Sequence, residues 1–125
     1  ILLSFEPAEA LRALKKCSRN TVIITNTSPL PPFTAAVGRG TYPDLDTIKS
    51  LLLTKCARLI TLDAASLARE AGNVLAVNMV LVGALAAADL IPVEPRSFED
   101  AIREIFRPQF VEVNLKAFEL GKRAV

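Results

Sequence analysis

The chain has 125 residues, 51% of them apolar, and its 15 basic and 13 acidic residues leave a net charge of +2. This length predicts a single domain over residues 1–125, and so balanced a charge argues against a nucleic-acid partner. There is no histidine, which excludes Ser-His-Asp, Cys-His and HExxH chemistry. The two cysteines are too few for a four-ligand zinc or iron–sulfur site, and no Walker or GxGxxG loop is present.

The first quarter of the chain has the pattern of a parallel α/β fold. Residues 1–5 are predicted to form a strand, and Glu6 and Pro7 to open a helix, because proline is tolerated in the first helical turn. Residues 21–25 are apolar and β-branched, which is typical of a second, buried strand. This strand–helix–strand order predicts parallel pairing with a right-handed crossover.

A long connection, NTSPLPPFTAAVGRGTYPDL, follows this second strand over residues 26–45. It contains four prolines and two glycines, and it lacks hydrophobic periodicity. Long connections of this kind inside small domains are uncommon and are usually functional or interfacial. The glycines of VGRGT do not directly follow a strand, so a loop tip is favoured over a phosphate cradle.

The middle of the chain predicts another helix and strand. Asp46 is expected to cap the helix TIKSLLLTKC. Within it Ile48, Leu51 and Leu52 recur at helical spacing and are predicted to share the buried face. Residues 58–62, RLITL, are predicted to form the third strand.

Three more helices are predicted, two from their end signals and one from its periodicity. Asp63 can cap the helix AASLAREA, and Gly72 can end it. Ser97 and Asp100 resemble a capping box, with Asp in place of the preferred Glu or Gln, and are predicted to open FEDAIREIF. The last segment, FVEVNLKAFELGKR, has helical periodicity. Cys17 and Cys56 could in principle form a disulfide, but they are expected to be reduced thiols that act as small buried hydrophobes.

Residues 74–91, VLAVNMVLVGALAAADLI, are apolar on every side except at Asn78 and Asp89. The segment is slightly short for a membrane span of about 20 residues, and we predict that it does not enter a membrane. A helix apolar all round is normally buried all round, either by this chain alone or partly by another subunit. Gly83 would allow a second backbone to approach. Asn78 is either a satisfied core amide or a hydrogen-bonding group at that interface.

Five stretches, taken together and in this order, resemble a known family: LLSFEPAEALRAL, NTVIITNTSPLPP, GTYPDLDTIK, AREAGNVLAVNMVLVGAL and FVEVNLKAFELG. They are similar to the gamma-type component of the 2-oxoacid:ferredoxin oxidoreductases, and within that family to the small (beta) subunit of the indolepyruvate type. The resemblance implies a three-layer α/β/α fold with a mostly parallel sheet. The family's N-terminal strand and GxGGQG-type turn have no counterpart here, so we expect an N-terminally truncated domain that self-associates through its unpaired strand edge.

The resemblance implies an accessory subunit of a complex that oxidatively decarboxylates an aryl 2-oxoacid to an acyl-coenzyme A and reduces ferredoxin. Thiamine diphosphate and [4Fe–4S] clusters are expected in a large partner subunit, and no cofactor or metal in this chain, which alone is expected to be inactive. The complex is expected in the cytoplasm. The alternative is a non-catalytic α/β interaction module that assembles with itself. A nucleotide-binding domain is disfavoured because there is no phosphate loop.

The resemblance also suggests a role for the long connection, since partners of parallel sheets sit beyond the carboxyl ends of the strands. We expect this loop to dock against the large subunit. Arg39 is the candidate to meet a coenzyme A phosphate, against the alternative of a solvated arginine. The residues expected at the subunit interface are Pro29, Pro31, Pro32, Phe33, Asn78 and Gly83.

Overall fold

The computed structural model describes residues 1–28 and 42–125. These residues form two compact units, Ile1–Leu62 and Asp63–Val125. The first unit contains a parallel sheet and the second contains only helices among the residues described. Together they confirm the α/β class. The assignment of the whole chain to one truncated domain stays a prediction.

The sheet of the first unit has three parallel strands in the order β1-β2-β3. They are β1 (Leu2–Ser4), β2 (Val22–Asn26) and β3 (Arg58–Leu62). Ile24 pairs with Leu3 on one side and with Ile60 on the other. The predicted parallel pairing and the predicted bounds of the third strand are confirmed. Apolar runs without alternation are what a parallel strand buried on both faces requires.

Two α-helices connect these strands in the chain. Between β1 and β2 lies α1 (Pro7–Ala13), which continues into a short 3-10 helix, and between β2 and β3 lies α2 (Leu45–Leu53). The core of this unit contains one fully buried residue of α1, one of β2 and two of α2: Ala10, Ile23, Ile48 and Leu52. The side chains of one strand and two helices thus meet in one cluster, which we call the first-unit core.

Two predictions about α2 are wrong in detail. The helix begins two residues early, with Asp44 as its N-cap and Asp46 in its first turn. Asp44 has extended backbone angles, and its Oδ1 accepts a hydrogen bond from the backbone N–H of Thr47 at 2.9 Å. Leu51 was expected on the buried face but is 46% exposed. The buried stripe is the i, i+4 pair Ile48 and Leu52, which leaves Leu51 turned away.

The second unit contains four α-helices and a 3-10 turn among its described residues. In chain order they are α3 (Ala64–Ala71), the 3-10 turn Val74–Ala76, α4 (Val77–Ala87), α5 (Pro95–Ile105) and α6 (Pro108–Arg123). The helix predicted for the last segment is confirmed. The unit's fully buried core side chains include Val80, Leu81, Ala84, Ala117 and Phe118, all from α4 and α6.

The capping predictions are correct for α3 and wrong for α5. Asp63 caps α3, and Gly72 ends it with φ of 111°, as predicted. Ser97 and Asp100 do not open α5, because that helix already begins at Pro95 and has no side-chain cap bond. The fixed φ of proline suits a first helical position. The side chain of Asp100 instead contacts arginines within the helix.

The apolar segment 74–91 is not one helix. Its first three residues form the 3-10 turn, and α4 ends at Ala87. Asp89 has a positive φ of 52°, a left-handed conformation in which short polar residues are favoured just past a helix end. The polar exception in the sequence therefore marks where the helix stops. Among the residues described, no helix is long and apolar enough to cross a membrane.

Candidate functional site

Helices α4 and α6 meet at two glycines. A Cβ atom built on Gly83 would lie 2.0 Å from the carbonyl oxygen of Phe118, and one built on Gly121 would lie 1.9 Å from that of Val80. Both distances are far below any real Cβ contact, so each backbone occupies the space that a side chain would need. The backbone that approaches Gly83 thus belongs to the same chain, where the sequence had suggested another subunit. The role of Gly121 was missed because nothing local links it to Gly83.

A pocket of about 200 Å³ lies in the second unit. It is built from the α3–α4 connection, the end of α5 and the first half of α6, and we call it the asparagine pocket. Its lining consists of neutral polar and apolar residues, mainly Asn73, Leu75, Asn78, Phe106, Phe110 and Asn114. A lining of this kind suits a neutral group that is mostly apolar and carries a few hydrogen-bonding atoms.

The three asparagines of the pocket differ in how their side chains are bonded. Asn73 Oδ1 accepts a hydrogen bond from the backbone N–H of Leu75 at 2.9 Å, which caps the 3-10 turn. Asn114 is only 7% exposed, and its Nδ2 donates to the carbonyl oxygen of Phe110 at 2.8 Å. Asn78 Oδ1 is buried and has no hydrogen-bond partner among the described residues. A buried acceptor without a donor costs about 1–3 kcal/mol.

This result bears on the alternatives that the sequence left open for Asn78. The side chain is not a fully satisfied core amide, because its oxygen has no partner in the part of the chain that the structure describes. Native proteins leave few such atoms, and each calls for an explanation such as a missing donor. Asn78 is therefore a polar residue of this pocket whose side-chain oxygen would need a donor from outside the described residues.

Large apolar side chains are exposed at and beside the asparagine pocket. Leu75 and Phe110, which line it, are 81% and 43% exposed. Val74 and Ile105, which directly precede the lining residues Leu75 and Phe106, are 55% and 76% exposed. Scattered exposed apolar residues are ordinary, but several around one pocket are typical of an interaction surface. Sequence reasoning missed Leu75 and Phe110 because both belong to patterns that otherwise read as core.

A second pocket, of about 250 Å³, lies in the first unit and is lined in part by Pro7, Thr27, Tyr42 and Asp44. The hydroxyl of Tyr42 donates a hydrogen bond to the carboxylate of Glu6. Glu6 also caps α1 by accepting the backbone N–H of a first-turn residue at 3.0 Å. The pocket therefore lies where the residue after β2, the residues just before α2 and the start of α1 come together.

The ionisable side chains of this second pocket, Tyr42 and Asp44, are not suited to proton transfer near neutral pH. Burial, the hydrogen bond to Glu6 and the negative charge of Glu6, in that order of size, together raise the pKa of Tyr42 to about 12. Hydrogen bonds from the side chain and backbone of Thr47 lower the pKa of Asp44 below its ordinary value. Tyr42 thus stays a hydrogen-bond donor and Asp44 stays a carboxylate, and both have structural partners.

Most of the residues predicted for the subunit interface lie outside the described part of the chain. They are Pro29, Pro31, Pro32 and Phe33, together with the phosphate candidate Arg39. Docking of the long connection and contact of Arg39 with an anion therefore stay predictions.

The cofactors that the family implies can be compared with the donors that this chain offers. A [4Fe–4S] cluster is held by four cysteine thiolates, and the chain has two cysteines. Over residues 1–28 and 42–125, no group of three or more potential metal ligands comes together. The donor set does not fit a cluster within this chain.

Two curated relatives are similar to this chain in sequence. The chain is 38% identical to indolepyruvate oxidoreductase subunit IorB of Thermococcus kodakarensis and 39% identical to that of Pyrococcus horikoshii, over 125 residues in each case. These alignments cover 99% of this chain and 62% of each relative, so the chain spans under two thirds of their length.

A solved structure has the same fold. It is the gamma subunit of a keto/oxoacid ferredoxin oxidoreductase from Geobacter sulfurreducens, with a TM-score of 0.67 at 17% identity over 98% of this chain and 63% of that one. Residues 1–124 match the family model described as pyruvate ferredoxin/flavodoxin oxidoreductase. The match extends over nearly every residue and confirms the resemblance seen in the sequence. The chain belongs to the pyruvate ferredoxin/flavodoxin oxidoreductase family.

Proposed function

We propose that this chain is part of an accessory subunit of a cytoplasmic 2-oxoacid:ferredoxin oxidoreductase, most similar to the indolepyruvate type. The observation that carries the proposal is the family match over residues 1–124 together with 38–39% identity to indolepyruvate oxidoreductase subunits. The absence of histidine and the presence of only two cysteines support an accessory role. The catalytic groups are then supplied by another subunit.

The reaction of such a complex converts an aryl 2-oxoacid and coenzyme A into carbon dioxide and an acyl-coenzyme A. The two electrons released reduce two ferredoxins. Thiamine diphosphate in the large subunit supplies the electron sink that decarboxylation requires, and clusters there carry the electrons. The residues of this chain contribute surface and position, and the choice of 2-oxoacid belongs to the large subunit.

We assign the asparagine pocket to the contact with that large subunit. Its exposed Leu75 and Phe110 would be covered on assembly, which removes apolar surface from water. A donor brought by the partner, after rotation of the Asn78 amide, would satisfy the oxygen that has none in this chain. Leu75 and Asn78 thus give the contact an apolar part and a polar part, as interfaces usually have.

This assignment is tested by co-purification. The small subunit is co-expressed with the large subunit as a tagged pair, and Leu75→Asp is compared with Leu53→Asp. Leu53 is a matched control because it is also an exposed leucine, at 58%, but lies in the first unit. We expect Leu75→Asp to release the large subunit and Leu53→Asp to retain it. Equal retention by both variants would contradict the role of the pocket.

The enzymatic role is tested separately with the unmodified complex. Purified without denaturation, it should be brown, contain a much larger subunit and reduce a dye when indolepyruvate and coenzyme A are added. A colourless assembly of small subunits alone would remove this role. That outcome would favour the alternative, a non-catalytic module whose apolar surface at Leu75 binds a second copy.

Arg39 remains our candidate for an anionic group such as a coenzyme A phosphate, on sequence grounds. In the active complex, Arg39→Ala should raise the apparent KM for coenzyme A and leave that for the 2-oxoacid unchanged. An unchanged coenzyme A requirement would mean that the arginine is solvated.

A further inference from the structure

The two cysteines of the first unit pack against the same hydrophobic cluster. Cys17 follows the 3-10 helix after α1, and Cys56 lies between α2 and β3. Both side chains pack against the first-unit core. Both are free thiols, neither fully buried nor fully exposed. The sequence suggests two reduced thiols that act as small buried hydrophobes, whereas the structure leaves both partly exposed beside a common cluster.

Backbone hydrogen bonds connect the two positions. The N–H of Thr21 donates to the carbonyl oxygen of Ser18 at 2.9 Å, which closes a turn directly after Cys17. The carbonyl oxygen of Thr21 in turn accepts the N–H of Ala57 at 2.8 Å, directly after Cys56. The two cysteines therefore flank one short hydrogen-bonded path at the amino end of strands β2 and β3.

The electrostatics agree with this proximity. Burial raises the pKa of the Cys56 thiol, and the Cys17 thiolate raises it further. Cys17 Sγ also lies 3.8 Å from the carbonyl oxygen of Ala13, so its thiol is oriented by the end of α1.

We propose that Cys17 and Cys56 form a dithiol modification site that small-molecule disulfides oxidise to an intramolecular disulfide. One cysteine thiolate attacks the small disulfide, forms a mixed disulfide and releases one small thiol. The second cysteine thiolate attacks the protein sulfur of that mixed disulfide and releases the other small thiol. The two protein thiols lose two electrons and two protons, and the small disulfide gains them.

The new bond would join the end of the α1 region to the α2–β3 connection. It would close a loop that contains β2, the long connection and α2, and a cross-link of this kind restricts the unfolded chain. The oxidised protein should therefore unfold at a higher temperature than the reduced protein. This site is independent of the proposed enzymatic role, because it requires neither a cofactor nor a partner.

The test uses the native chain and oxidised glutathione as the probe. We expect a product lighter than the reduced protein by two hydrogen atoms, with the Cys17 and Cys56 peptides joined and with full reversal by dithiothreitol. Proximity predicts that closure is at least about tenfold faster in native protein than in concentrated urea. A stable protein carrying glutathione on both cysteines, a disulfide-linked dimer, or unreacted thiols would each overturn the proposal.

Single variants provide the matched controls. Cys17→Ser and Cys56→Ser each keep one thiol, so each should stop at a mixed disulfide with one glutathione. Wild-type protein that stops at the same stage would show that the second sulfur cannot reach the first. The wild-type result does not depend on whether either variant folds.

Discussion

Replacing Gly83 by alanine tests the closest contact of the second unit. The new Cβ would lie 2.0 Å from the Phe118 carbonyl oxygen, whereas ordinary contact begins at 3.4 Å. Because the obstacle is backbone, no side-chain rotation can relieve it. Helices α4 and α6 would have to separate locally by about 1.4 Å, the difference between these distances.

The free-energy cost of this separation comes from the buried side-chain contacts that it weakens. The facing side chains Val80, Leu81, Ala84, Ala117 and Phe118 are all fully buried, and a gap of this size forfeits much of their dispersion contact. Overpacking that moves backbone typically costs about 1–3 kcal/mol, and a backbone obstacle at this distance places the contact at the upper end of that range. Alanine is the better helix former by about 1 kcal/mol, which offsets part of it. We expect Gly83→Ala to lower the free energy of unfolding by about 2 kcal/mol.

The assay is urea unfolding followed by far-UV circular dichroism at one protein concentration. The control pair Lys116→Ala and Lys116→Gly, at an exposed position inside α6, isolates the propensity difference between alanine and glycine. Gly83→Ala combined with Gly121→Ala should cost less than the sum of the two, since one separation relieves both contacts. A Gly83→Ala variant as stable as the wild type, or more stable, would refute the close crossing.

The other stability predictions concern one hydrogen bond, one cap and one buried oxygen, each read from unfolding free energies. Tyr42→Phe should cost about 1–3 kcal/mol through its lost bond to the Glu6 carboxylate. Because the pKa of Tyr42 is raised from 10.0 to about 12, this stabilisation should be complete below pH 10 and be lost as the pH rises through 12; a difference that does not change up to pH 12 would contradict it. Asp44→Ala should lower the free energy of unfolding by more than the control Asp46→Ala does, because Asp44 accepts the backbone N–H of Thr47; the reverse order would return the cap to Asp46. Asn78→Leu should leave the isolated chain as stable or more stable, because it removes an acceptor without a donor, and a loss above about 1 kcal/mol would reveal a bond to that oxygen.

Local signals in the sequence determined most of the elements. The strand Arg58–Leu62 has the predicted bounds because its apolar run has no competing interpretation. Asp63 and Gly72 bound α3 because an N-cap side chain and a left-handed glycine act on their own helix. The order of five motifs along the chain indicated the family without any structural information. The strand and helix ends depend on interactions within a few residues, and the family resemblance depends on the order of the motifs along the whole chain.

Tertiary structure decided details of the helices that local pattern predicted wrongly. The sequence analysis predicted Asp46 as the cap of α2, whereas the helix begins two residues earlier and Asp44 is the cap. Leu51 and Leu52 fit overlapping apolar stripes, and packing on the first-unit core selects Leu52. Such choices depend on which side of a helix meets its neighbour, and helical periodicity alone leaves that open.

The residues of the candidate sites could not be paired from the sequence, for a different reason. Gly83 and Gly121, or Cys17 and Cys56, are far apart in the chain and are brought together only by folding. The sequence marked Asn78 as unusual, but whether its oxygen has a donor depends on every residue packed around it. Sequence by itself determined the family and the elements, because these follow from local propensity and pattern. Only the tertiary structure decided the contacts, because a contact is a property of two distant segments at once.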